Sequence, residues 1–258
     1  MDYRARMYDL YITQAFIQPD DVIPDVYNPQ SLNRYAYVLD RPTVLTDPTG
    51  HKYCTQGTTP GGDCLNDSDI TKSFLSEHYG VKLSGHFSDK KADAIYLGVS
   101  DLADAMGIDR FRNLLGGVTF SIGACTSRHD LCTIGMNDIH LDSVADDNPS
   151  YIEYNTVHEF GHIWDYRCFG CMSSGMEDAD GSSTDSAGRY NVNGKTATSY
   201  GKTNAAEDWA EALAAYINPS LVGKAEPGEQ PYQMDPSREY YVVNSLVPGP
   251  RSLADAYP

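Results

Sequence analysis

His158-Glu159-Phe160-Gly161-His162 decides how the rest of the chain is read, sitting between Tyr151-Ile152-Glu153-Tyr154-Asn155-Thr156-Val157 and Ile163-Trp164-Asp165-Tyr166-Arg167. Side chains four apart on a helix leave the same face one turn apart, so both imidazoles can reach a single zinc ion at ~2.0–2.1 Å. Glu159 stands one step round the helix, placed to take a proton from an attacking water without ligating the metal. Upstream, Asn148-Pro149-Ser150-Tyr151-Ile152-Glu153 offers a helix start with an early proline and a Ser-x-x-Glu capping box. The pattern predicts one helix to about Arg167. The competing reading makes the two histidines ordinary surface polarity, and a third ligand decides between the two.

A zinc hydrolase site uses three protein ligands and keeps one position open. Downstream, Ser199-Tyr200-Gly201-Lys202-Thr203-Asn204-Ala205-Ala206-Glu207-Asp208-Trp209-Ala210-Glu211-Ala212-Leu213-Ala214-Ala215-Tyr216 is alanine-rich and reads as a second helix starting near Asn204. Glu207 and Glu211 lie four apart on one face of it. Glutamate is scarce, nine against twenty-seven aspartates, so this pair stands out. Glu207 is assigned as the third ligand and Glu211 as the acceptor that fixes an imidazole tautomer.

Composition narrows the function classes. The 258 residues carry a net charge of −17, which argues against phosphate-backbone binding of nucleic acid and against a polybasic membrane anchor. No stretch is apolar enough to span a bilayer, and Met1-Asp2-Tyr3-Arg4-Ala5-Arg6 does not open a signal peptide. Six cysteines fall as three close pairs: Cys54 with Cys64, Cys125 with Cys132, Cys168 with Cys171. Three local disulfides and an oxidising destination are expected, against six reduced core thiols as the alternative.

The first 51 residues differ in texture, being rich in tyrosine, proline and turn pairs, with no glutamate. Phe16-Ile17-Gln18-Pro19-Asp20, then Tyr27-Asn28-Pro29-Gln30-Ser31-Leu32-Asn33-Arg34-Tyr35-Ala36-Tyr37-Val38, closing on Thr46-Asp47-Pro48-Thr49-Gly50, resembles the end of the core in Rhs/YD-repeat polymorphic toxins. In that family a variable effector domain follows immediately. The resemblance implies an upstream Rhs shell and a cognate immunity protein as partners, and self-cleavage near His51 served by Asp20 and Asp47. The other reading has both aspartates merely shaping turns.

Tyr200 through Ala212, with the histidine helix and its Asp165, looks like the corresponding segments of anthrax lethal factor and the related Pro-Pro endopeptidases. The likeness covers residues 150 to 217. It implies that Glu207 is the third ligand of one catalytic Zn2+ and that Tyr200 donates a hydrogen bond to the tetrahedral oxyanion. Asp165 is either an orienter beside the site or an exposed carboxylate near the helix end.

The expected fold is α+β: a zincin-like metallopeptidase over 52–258, with an active-site helix and a second ligand-bearing helix, after a short irregular β-rich junction over 1–51. Helices are expected from Asn66-Asp67-Ser68-Asp69 to His78, over Ala92–Met106 and over Ile108–Leu115, with strands at Val118–Ile122 and Asn137–Leu141. Cys168-Phe169-Gly170-Cys171 reads as a structural clip. Glu177-Asp178-Ala179-Asp180-Gly181, on to Asp185, reads as a solvated loop rather than a calcium site, and His129 and His140 read as structural. The function expected is a zinc endopeptidase, the secreted or delivered effector of a larger toxin, acting on a protein or peptide in a target cell. Its rivals are a zinc-stabilised binding module without catalysis and an Rhs-derived surface or adhesion fragment.

Overall fold

In the structure, a computed structural model, residues 2–3, 6–9, 11–20, 33–38, 47, 68–125, 131–142, 148–225 and 234–247 are described. The chain begins with a small antiparallel sheet of β1 (Asp2–Tyr3), β2 (Arg6–Asp9) and β3 (Ala15–Phe16). Tyr8, Phe16 and Tyr37 cluster there, with ring centroids 5.0–5.8 Å apart. The expected boundary at 51–52, the pair Cys54 and Cys64, and His129 lie outside the described residues.

Helix α1 (Ser68–Phe74) continues as a π-helical turn, Leu75–Tyr79, and stops at Gly80. After β4 (Lys82–Ser84) comes α2 (Asp89–Met106), one turn longer than expected because the Ser88 side chain caps it by accepting from Lys91 N. Gly107 separates it from α3 (Ile108–Leu115). Strands β5 (Thr119–Ile122), β6 (Leu131–Ile134) and β7 (Asp138–Leu141) join β4 in a sheet of order β4-β5-β7-β6, parallel except for β6. Of these four strands, the sequence pattern predicts β5 and β7.

Helix α4 (Pro149–Arg167) carries the histidine motif and α5 (Cys171–Asp180) follows it. The start of α4 differs in detail from the expected capping box. Asn148, not Ser150, is the cap, and its side chain accepts from Ser150 N at 3.1 Å, because Pro149 occupies the first turn. A short hairpin of β8 (Ser183–Thr184) and β9 (Tyr190–Asn191) leads to a 3₁₀ turn at Tyr200–Lys202 and then to α6 (Ala205–Ile217). The chain closes on α7 (Val222–Ala225) and α8 (Pro236–Leu246). The fold class is α+β, and among the described residues no helix is long and apolar enough to cross a membrane.

Helix α4 is the axis of the core. Phe160 meets Phe111 and Phe120 at 5.4 and 6.0 Å on the side of α3 and the sheet. On two other sides glycine lets a neighbouring helix come close. A Cβ on Gly98 of α2 would sit 2.6 Å from Glu153 O, and one on Gly161 would sit 3.0 Å from Ala210 Cα of α6. Trp209 Nε1 donates to Gly161 O at 3.0 Å and locks the second approach. Gly161, inside the histidine motif, therefore brings α6 against the face that presents the imidazoles.

Candidate metal centre

His158 and His162 project one turn apart from α4, as the spacing predicts. Glu207 enters from the first turn of α6, where Asn204 caps the helix by accepting from Glu207 N at 3.0 Å. The three donor atoms form a near-equilateral triangle: His158 Nε2 to His162 Nε2 is 3.1 Å, His162 Nε2 to Glu207 Oε2 is 3.1 Å, and His158 Nε2 to Glu207 Oε2 is 3.2 Å. Ligands at ~2.0–2.1 Å around a tetrahedral ion stand ~3.3 Å from one another. The triangle is within a few tenths of that, so the set fits a metal ion, and among the described residues it is the one His/Cys/Asp/Glu group that does.

The ionisation pattern follows from burial and pairing. Burial of His158 opposes its protonation, but Glu207 and Glu211 outweigh that and hold it well above its ordinary range. Burial likewise opposes the charge on Glu207, yet the two imidazoles keep this carboxyl far below its usual range. With no metal bound, His158 and Glu207 thus form a proton-holding pair.

Glu211 is 1% exposed, and its carboxylate is surrounded by donors. Oε1 lies 2.7 Å from His158 Nδ1, while Oε2 accepts from Tyr154 Oη at 3.0 Å and Thr198 Oγ1 at 2.6 Å. A carboxylate at Nδ1 favours the tautomer that leaves Nε2 free for a metal. Burial works against the charge on Glu211, and His158 together with the two hydroxyls more than offsets it.

Glu159 is buried beside the triangle. Its Oε2 accepts from Thr133 Oγ1 at 2.7 Å, so the edge strand β6 orients the carboxylate. The Tyr200 hydroxyl donates to Glu207 Oε1 at 3.2 Å, and its ring centroid is 6.1 Å from that of His158. Burial and the Glu207 charge push this phenol up, so it stays a neutral donor. Tyr166 stacks on the other imidazole, His162, with centroids 6.3 Å apart.

Asp165 is placed differently from both expectations. It is buried and accepts from Met172 N, Ser173 N and Ser173 Oγ, each at 2.9 Å, and so caps α5. None of its hydrogen bonds reaches an imidazole. Asp20 and Asp47 are brought together on one guanidinium: Arg6 Nη2 lies 2.8 Å from Asp20 Oδ2 and 3.6 Å from Asp47 Oδ2, while its Cζ stands 3.7 Å from the centre of the Phe16 ring. Both lie outside the strands and are joined to the N-terminal sheet through Arg6 of β2, and His51 is outside the described residues.

The Glu177–Asp185 stretch, expected as a solvated loop, is helical at its start and enters a short strand at Ser183–Thr184. Glu177 to Asp180 close α5, Asp180 pairs with Arg238, and Asp185 folds back on Arg189. His140 on β7 packs beside Gly123 and belongs to no metal-holding group among the described residues. Cys125–Cys132 and Cys168–Cys171 are disulfides, as the pairing predicts.

Sequence reasoning missed Thr133, Thr198 and Tyr154. Tyr154 had a signal, since it precedes His158 by one turn on the same face. Thr133 had none, because its contact with Glu159 depends on sheet order.

Comparison with known proteins adds no relative. The chain matches no family model, no curated protein and no solved structure.

Proposed function

We propose that the chain is a zinc-dependent metalloendopeptidase of zincin-like fold, acting as the C-terminal effector of an Rhs-type polymorphic toxin on a protein of a target cell. The observation that carries the reading is the His158–His162–Glu207 donor triangle with Glu159 buried beside it. The toxin part rests on the resemblance of residues 1 to 51 alone.

His158, His162 and Glu207 would hold the ion, and a bound zinc supplies Lewis acidity toward a peptide carbonyl and an attacking water. The protein's own contribution is divided among named atoms. Glu159 offers a carboxylate, oriented by Thr133 Oγ1 on its Oε2, that takes a proton from the attacking water and delivers it to the leaving amine. Tyr200 keeps its proton and donates it as a hydrogen bond; turning from Glu207 Oε1 toward a substrate, it stabilises the developing oxyanion. Glu211 holds His158 in the tautomer that ligates.

The test is cleavage profiling of a mixed proteome by the zinc-loaded protein, with Glu159→Gln as control. The wild type cuts and Glu159→Gln does not, while zinc content and fold are retained. Cleavage that survives Glu159→Gln removes Glu159 from the mechanism. Zinc binding without cleavage by the wild type returns the site to a binding module.

A further inference from the structure

Asp208 follows Glu207 on α6, about 100° further round the helix, and its carboxylate bonds to Arg238 and Tyr190 rather than to the donor triangle. Its carboxylate is fully buried. Arg238 of α8 grips it like a fork: Nε reaches Oδ1 at 3.0 Å and Oδ2 at 3.1 Å, and Nη2 reaches Oδ2 at 2.8 Å. The Tyr190 hydroxyl adds a bond to Oδ2 at 2.5 Å. Arg238 is itself fully buried, and its remaining donors are spent on fixed points. Nη1 donates to Asn193 O at 2.8 Å and Nη2 to Ser182 Oγ at 3.2 Å, while Asp180 Oδ2 stands 2.6 Å from Nη2 as an ion pair.

A buried ion pair is weak evidence for stability, because desolvation consumes most of the attraction. What a planar, two-toothed grip supplies is geometry. Trp209 on Gly161 O and Glu211 on Tyr154 and Thr198 tie α6 toward α4 and the Thr198 segment, while toward α8 the Asp208 grip is joined by apolar contacts such as Trp209 on Tyr241, which tolerate small rotations about the helix axis. Side-chain ends lie ~5–6 Å from a helix axis, so a turn of about 10° would move the Glu207 carboxylate by ~1 Å. That exceeds the ~0.2 Å within which ligand distances are set.

We propose that Arg238 is a positioning residue of the metal centre: by clamping Asp208 to α8 and to the β8–β9 region, it fixes the rotation of α6 that aims Glu207 at His158 and His162. The proposal rests on reading the triangle as a zinc site and adds that α8, nearly thirty residues after the last ligand, helps to build it.

The test measures Zn2+ affinity of the 258-residue chain by competition with a chromophoric chelator, and the d–d spectrum of the Co2+ form. Arg238→Lys keeps the charge and loses the fork. It should stay folded by circular dichroism, bind Zn2+ about 10–100-fold more weakly and give an altered Co2+ spectrum. In a Glu207→Ala background, Arg238→Lys should cost no further affinity, because the ligand it aims is gone.

Wild-type affinity in folded Arg238→Lys overturns the proposal, as does an equal loss in the Glu207→Ala background. If Arg238→Lys fails to fold, Asp208→Asn, close in shape, carries the same expectation and the same refutation. A wild type that binds no Zn2+ removes the zinc reading itself, and is thereby told apart from a failure of the clamp.

Discussion

Gly161 is the position where packing and the metal centre can be separated by one methyl group. Inside a helix, replacing glycine by alanine normally gains about 0.5–1 kcal/mol. Here the new Cβ would stand 3.0 Å from Ala210 Cα and 3.2 Å from Ala210 Cβ, where carbon atoms prefer ~3.5–4.0 Å. The nearest obstacle is backbone, so α6 must withdraw by roughly 0.5 Å or more to restore contact distance. Overpacking of this kind costs about 1–3 kcal/mol, so Gly161→Ala should come out destabilised by about 1 kcal/mol instead of gaining. Glu207 moves with α6, and a displacement of that size exceeds the ~0.2 Å ligand tolerance, so zinc affinity should fall about tenfold. Urea unfolding of the metal-free variant measures the first effect, and chelator competition the second. Gly161→Leu should enlarge both. A Gly161→Ala protein that is more stable than wild type and binds zinc equally well would refute the claim that this glycine sets the α4–α6 approach.

Two further outcomes follow from the groups around the triangle. Glu211→Gln keeps the shape but removes the charge facing His158 Nδ1, and should weaken zinc binding about 10–100-fold; unchanged affinity by the same titration would remove Glu211 from the site. For the metal-free protein the pH dependence has a defined sign. His158 is raised above its ordinary 6.5, so its stabilisation is complete below about pH 6.5 and is lost as pH climbs through the raised value. Glu207 and Glu211 are lowered from 4.5, so theirs is present above about pH 4.5 and is lost on acidification. Melting of the chelator-treated protein should therefore be highest between those limits, whereas with saturating zinc the stability gained from the metal should keep growing above pH 6.5, as protons stop competing for the imidazole. A metal-free melting temperature that climbs through neutral pH would contradict the pairing.

What was legible in the sequence was what local periodicity carries. The His158/His162 spacing, the start of α6 at Asn204, and the Glu207/Glu211 face each follow from one helix seen alone. The strands β4 and β6 were missed because Lys82-Leu83-Ser84 holds a single apolar residue and Leu131-Cys132-Thr133-Ile134 breaks the alternation that Thr119-Phe120-Ser121-Ile122 and Asp138-Ile139-His140-Leu141 keep. With β6 went Thr133, whose partner Glu159 is 26 residues away. Asp165 was misplaced for a related reason: from sequence it sits one turn from His162, but the turn at Phe169-Gly170 folds α5 back so that its free N–H groups claim the carboxylate first. Arg238 was invisible in kind, since one arginine in an α8 segment shows neither its burial nor the three aspartates gathered around it.

The end of α4 is tied to α5 twice, and the two ties answer to different chemistry. Cys168–Cys171 closes a loop so short that the chain-entropy account gives it only about 2 kcal/mol. The three donors on Asp165 bind a charged acceptor, and such bonds are worth about 1.5–3 kcal/mol each. A reductant that opens the disulfide therefore removes the smaller share and leaves the joint closed. A protein that travels through an oxidising medium and enters a reducing one would keep the far end of its histidine helix anchored on both sides of that passage.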